Sequence, residues 1–144
     1  MSGEGQRGPA PAFRPLPVPD RDSAPFWEAC REHRLVAQRC QACDQLRFPP
    51  SPVCHHCRSW EFTWSELSGE ATVYSWVVVH HPVLETFVPE VPFVVALVEV
   101  APGVRMPTRL RGVDPGRVQA GMRVAVVFND VADSVSLPEF QAAG

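Results

Sequence analysis

Cys40-Gln41-Ala42-Cys43 and Cys54-His55-His56-Cys57 form two C-x2-C knuckles separated by ten residues, and this stretch decides the fold. Two cysteines on one tight turn can each place a sulfur along a tetrahedral edge, and a short hairpin brings the second pair round to close the site. The spacing therefore reads as a four-thiolate zinc ribbon with one zinc per chain. Because Cys40, Cys43, Cys54 and Cys57 fill all four positions, the metal is expected to be structural rather than catalytic. Two disulfides or unrelated free thiols are the competing readings, disfavoured because the chain shows no secretory signal and intracellular thiols are kept reduced. His55 and His56 are adjacent, so both cannot easily reach the metal, and Cys57 completes the set without them. Cys30, the odd cysteine, reads as a small buried apolar side chain rather than a nucleophile.

The 144 residues suit one domain, or one small domain carrying a metal-stapled appendage. A proline-rich start, residues 1–21, with neither a basic leader nor an apolar run, reads as a flexible arm. The longest apolar stretch, Phe93 to Val98, is too short to span a bilayer and is followed by Glu99. A cytoplasmic protein with no membrane partner is expected. Charge is uneven: residues 1–60 hold eight Arg against six acids, and residues 61–144 hold five Arg against ten acids. An acidic second half argues against a nucleic-acid binder, which concentrates positive charge on its binding face.

Asp22-Ser23 before Pro25 marks a helix start, and Phe26, Ala29, Cys30 and His33 recur at helical spacing, which predicts a helix within residues 22–35 ending near Arg34. Trp27 lies off that stripe. Residues 36–65 make the ribbon, with strands entering and leaving the first knuckle. Within it, Trp60, Phe62 and Trp64 alternate with polar residues, so period two predicts one aromatic strand face that covers a thin core or stacks on bases. Residues 66–144 change texture, with β-branched runs at Val73–His80, Phe93–Val100, Met106–Arg111, Val124–Phe128 and Val135–Leu137. Proline and glycine punctuate them. Five short strands predict a small closed barrel, either of the oligonucleotide/oligosaccharide-binding (OB) type or SH3-like. The fold class is mainly β with one short N-terminal helix.

The order of these features resembles the DUF35 family. The residues that carry the likeness are Phe26-Trp27-Glu28, Arg39-Cys40-x-x-Cys43, Leu46-Arg47-Phe48-Pro49-Pro50, Cys54-x-x-Cys57, Gly69-x-x-Thr72-Val73-Tyr74-Ser75 and Val79-His80. Pro92 to Val98, Gly112-Val113-Asp114-Pro115 and Gly121-Met122-x-Val124 continue it, over about residues 22 to 140. The resemblance implies a rubredoxin-like ribbon followed by a five-stranded OB barrel. It also implies an auxiliary subunit of a thiolase-fold or lipid-transfer-protein-like enzyme that acts on acyl-CoA by carbon–carbon cleavage, foremost a retro-aldolase of steroid or lipid side chains. A true thiolase or a hydroxymethylglutaryl-CoA synthase assembly is the alternative. The implied assembly is a heterotetramer on the partner's dimer, with a MaoC-like hydratase as a possible associate.

No residue is assigned a catalytic role. Thiolases use a nucleophilic cysteine with a histidine base, whereas four of the five cysteines here belong to the knuckles. His80, His81 and Glu85 form the only tempting acid/base cluster, and they sit at a strand end where packing or local hydrogen bonding is the commoner role. From Arg31 to Arg58 there are five Arg against Glu32 and Asp44. Arg47 and Arg58 are the candidates for gripping CoA phosphates, unless this charge only neutralises the tetrathiolate zinc. Phe26 and Trp27 are the candidate partner contacts. A single-stranded nucleic-acid module, with Trp60, Phe62 and Trp64 as the stacking platform, is the reading of a different class.

Overall fold

The computed structural model describes residues 14–143. Of the expected arm, residues 1–13 lie outside them; of the rest, Leu16 and Val18 are exposed while Arg14 is anchored. Arg14 reaches Glu90 at 3.3 Å and lies over the Phe87 ring.

Helix α1 spans Ala24–Arg31, with Pro25 in its first turn. Asp20 Oδ1 accepts from Ser23 N (2.8 Å) and Ser23 Oγ accepts from Asp20 N (3.0 Å), a reciprocal pair that turns the chain into the helix. The helix ends earlier than its periodicity suggested. His33 adopts φ 59°, its N–H donates to Cys30 O, and Arg34 N–H donates to Ala29 O. This is the paired closure of a Schellman motif, which satisfies the last carbonyls through a left-handed residue. His33 thus leaves the helical stripe and stacks on Phe128 (5.1 Å between centroids) with Nε2 2.9 Å from Asp130 Oδ1.

The ribbon sheet comprises β1 (Val36–Cys40), β2 (Leu46–Arg47) and β3 (Phe62–Glu66) in the order β2-β1-β3, all antiparallel. Trp60 departs from the expected stripe. It precedes β3 and is 71% exposed, while Phe62 and Trp64 meet edge to face at 5.9 Å.

The barrel is built from β4 (Glu70–Val79), β5 (Phe93–Ala101), β6 (Val104–Arg111), β7 (Arg123–Ala132) and β8 (Val135–Ala142). It closes in the order β4-β5-β6-β8-β7, with β7 returning to β4 and only β6 and β8 parallel. That five-stranded closure is the OB arrangement, which periodicity alone had left open against an SH3-like barrel. β4 pairs with β7 through residues 70–72 and with β5 through residues 72–79, and a bulge between Val73 and Ser75 bends it to serve both. β8 outruns its expected end at Leu137 because Pro138 is tolerated within it. There β6 pairs only with Phe140 and Gln141, and Thr108 Oγ1 donates to Pro138 O at 2.9 Å. The seam is pinned by Glu139, 4% exposed, which accepts from Arg111 Nε (2.7 Å) and Nη2 (3.2 Å) and from Asn129 Nδ2.

An apolar cluster joins the parts: Phe26, Ala29 and Cys30 of α1, Leu35 and Val36 of the ribbon, and Val73, Val98 and Phe140 of the barrel. Gly69, at φ +87°, lies where the ribbon enters the barrel, and a Cβ there would sit 2.7 Å from Val126 Cγ1. Gly69→Ala is expected to destabilise the chain by about 2 kcal/mol. Gly103→Ala, with a similar φ and open space around it, should lose less; paired urea melts of the two variants measure the difference.

Candidate metal centre

The two knuckles repeat one hydrogen-bonding scheme. Asp44 N–H donates to Cys40 O and Cys40 N–H to Gln45 O; in the second, Arg58 N–H donates to Cys54 O and Cys54 N–H to Ser59 O. The equivalent residues Asp44 and Arg58 both adopt φ 65°. This left-handed turn reverses the chain tightly enough for both sulfurs of a knuckle to face the same point. The chain direction thus delivers Cys40 from the end of β1, and the Ser51–Val53 turn delivers Cys54.

The four Sγ atoms lie within 4.8 Å of one another, and Cys40–Cys57 and Cys43–Cys54 are 3.5 and 3.7 Å apart. A zinc–sulfur bond of about 2.3 Å requires tetrahedral sulfurs about 3.8 Å apart. None of the four forms a disulfide. Backbone N–H groups of Cys57 and then His56 hold the Cys54 thiol down to about 6, while Cys43, whose sulfur lies 3.7 Å away, is pushed up to about 12, so without a cation the crowded sulfurs do not all ionise together. The set suits one structural zinc with no position open for water. His55 and His56 are solvent-exposed beside it.

The other residues singled out in the sequence disperse. Cys30 is fully buried, and burial pushes its thiol up to about 12, so it is a core side chain. Arg47 is not a surface phosphate grip. It is 3% exposed, its Nε and Nη2 donate to Gln38 Oε1 and Ser51 O at 2.8 Å each, and its guanidinium lies over Phe62. Gln38 Oε1 also accepts from Ser51 N–H, so Arg47 and Gln38 together fix the loop leading to the second knuckle. Arg58 is exposed in the second knuckle. Phe26 is 2% exposed and packs edge-on beneath Trp27, so its ring belongs to the core and cannot meet a partner; only Trp27 is partly open. His80, His81 and Glu85 are exposed in the β4–β5 connection.

Sequence reasoning did not find the role of Gln38. A polar residue directly after the apolar run from Leu35 to Ala37, still inside the strand that leads to Cys40, was the available signal.

Residues 27–63 match the family model described as the rubredoxin-like zinc ribbon domain of ChsH2, and residues 64–129 match that of its C-terminal OB-fold domain. The solved structure of the Ltp2-ChsH2(DUF35) aldolase holds a chain 42% identical to this one, with a TM-score of 0.81 over 89% of this chain and 99% of that chain. The chain belongs to the DUF35 family. This DUF35 chain is also 43% identical, over 92% of its length, to the probable enoyl-CoA hydratase alpha subunit of Thermomonospora curvata. It is 40% identical, over 85%, to the 3-oxo-4,17-pregnadiene-20-carboxyl-CoA hydratase alpha subunit of Mycobacterium tuberculosis. It spans only 41% and 43% of the length of those two curated relatives.

Cys57→Ser should retain no more than about a tenth of the wild-type zinc against a competing chelator and should melt at a lower temperature. Cys30→Ala should keep its zinc while losing about 1 kcal/mol of core packing. Metal analysis of both variants, alongside thermal melts, separates ligand from filler.

Proposed function

We propose that this chain is a non-catalytic subunit of a thiolase-fold enzyme that cleaves a carbon–carbon bond of an acyl-CoA thioester by retro-aldol chemistry on a steroid or related lipid side chain. The observation that carries this reading is the likeness to the DUF35 chain of a solved aldolase over 99% of that chain at 42% identity. The residues described above agree with it. The knuckle cysteines converge on one another and Cys30 is sealed in the core.

In such a cleavage a base takes the proton of the β-hydroxyl, the Cα–Cβ bond breaks to give a carbonyl product, and the thioester enolate left behind is protonated. The base and the enolate-stabilising groups belong to the partner. This chain positions and stabilises that partner, two copies sitting on a catalytic dimer in the cytoplasm, where the zinc thiolates stay reduced. Arg58, exposed beside the second knuckle, remains the candidate contact for CoA phosphate, and Trp27 the candidate contact for the partner.

The relatives named as hydratase subunits fit the same chemistry. Hydration of a conjugated enoyl thioester makes the β-hydroxyacyl thioester that a retro-aldolase consumes. That activity is a property of the longer proteins, so a hydratase is proposed only as an associate.

Affinity purification of the tagged chain from its native cell is expected to recover a thiolase-fold protein in equal amount. The complex should cleave a β-hydroxyacyl-CoA without added CoA, and the chain alone should show no turnover. Cleavage that requires free CoA and a β-ketoacyl substrate would reassign the partner as a true thiolase. Turnover by the isolated chain would overturn the auxiliary role.

A further inference from the structure

An apolar groove of about 470 Å3 lies between α1 and the barrel, assembled from segments far apart in sequence. Its walls include Trp27 of α1, Phe48 after β2, Phe87 and Phe93 on either side of the β4–β5 connection, and Met106 and Leu137 of the barrel. The rings brace one another. Trp27 meets Phe26 at 5.1 Å, Phe26 meets Phe48 at 5.3 Å, and Phe87 meets Phe93 at 6.1 Å. Such a groove is preformed rather than opened by its ligand, and its volume falls within the range of about 300–1,000 Å3 usual for small-molecule sites.

The polar groups along it are few, and most are already paired. Thr108 Oγ1 donates to Pro138 O, and Glu139 is held by Arg111 and Asn129. What remains is a guanidinium pair at one end. Arg14 and Arg109 each direct Nη1 at Glu90, at 3.3 and 2.9 Å, and lie over Phe87 and Phe93 respectively. Two guanidiniums against one carboxylate leave a positive charge on a chain whose formal net charge is −3. Burial, followed by the neighbouring charge of Arg111, draws the Arg109 pKa below its ordinary value, although Glu90 and Glu139 pull it the other way.

We propose that this groove binds the apolar body of a polycyclic acyl group and that Arg14 and Arg109 hold the carboxylate or thioester carbonyl at its end. The proposal rests on the acyl-CoA reading above and deepens it, giving this chain part of the substrate recognition while the partner carries out the chemistry. Flat aromatic walls suit a rigid ring system, which loses little conformational entropy on binding. A peptide suits the groove poorly, because its backbone N–H groups would need acceptors and those of Glu139 and Pro138 are already engaged.

The test is calorimetric titration of the zinc-loaded chain with 3-oxopregn-4-ene-20-carboxylate, and in parallel with progesterone, which has a similar ring system but no acid. Saturable one-to-one binding of the acid is expected, with progesterone and the Arg109→Gln variant each weaker by about tenfold, the loss of one charge-assisted hydrogen bond. Arg14→Gln, at a site outside the barrel, should weaken the acid in the same direction and guards against misfolding of the first variant. Phe87→Ala should weaken acid and neutral steroid alike. Absence of binding, or wild-type affinity for the acid in both arginine variants, overturns the assignment. If the acid fails to bind while a thiolase-fold partner still co-purifies and turns over, the groove assignment alone falls. If the acid binds as expected and no such partner is captured, the aldolase reading falls and the groove assignment stands.

Discussion

Four sulfurs held within 4.8 Å of one another are the constraint on which the first half of the molecule depends. The ribbon has three short strands, one only two residues long, and its aromatic residues are half exposed or fully exposed. So little buried surface cannot order two loops by itself, and a tetrathiolate metal supplies the missing free energy. The consequence extends beyond the ribbon, because Cys40 ends β1, the middle strand of its sheet, and Val36 at the other end of that strand lies in the cluster shared with α1 and the barrel. Fixing the knuckles therefore helps fix the base on which α1 lies.

Arg47 and Gln38 show how the same region handles buried polarity. The guanidinium is met by a side-chain amide oxygen, a backbone carbonyl and an aromatic face rather than by a carboxylate. Its geometry makes sense as a brace: β2 is tied to β1 through side chains as well as through the backbone, and the loop to the second knuckle is tied to both. The barrel solves the matching problem with an acid. Glu139 is buried at the seam where β6 and β8 run parallel, and Arg111 and Asn129 hold it from the two flanking strands.

These two braces leave α1 caught between ribbon and barrel, with Phe26 inward and Trp27 at the rim of a groove. The partly open aromatic face and the arginine pair beside it are products of that docking. The cysteines divide in the same way: Cys40, Cys43, Cys54 and Cys57 are drawn together at the metal centre, two of them buried, and Cys30 is sealed in the core.

The sequence by itself determined the metal centre, because ligand spacing in two C-x2-C turns is a local property that backbone geometry converts directly into a tetrahedron. It also determined a short helix near Phe26 and a β-rich second half, since β-branched runs between prolines and glycines leave few alternatives. It did not determine where the helix stops, because the left-handed turn at His33 uses a residue with no glycine signature and is stabilised by stacking on Phe128, far away in sequence. Nor did it separate Arg47 from Arg58, or Phe26 from Trp27. Each pair is alike in type and context along the chain, and burial is decided by what other strands bring against it. Barrel topology was left open for the same reason: strand period shows which face is apolar, while the parallel pairing of β6 with β8 depends on contacts about thirty residues apart. The groove with Arg14 and Arg109 belonged wholly to the tertiary structure, since its walls come from segments that meet only when the barrel has closed and α1 has docked.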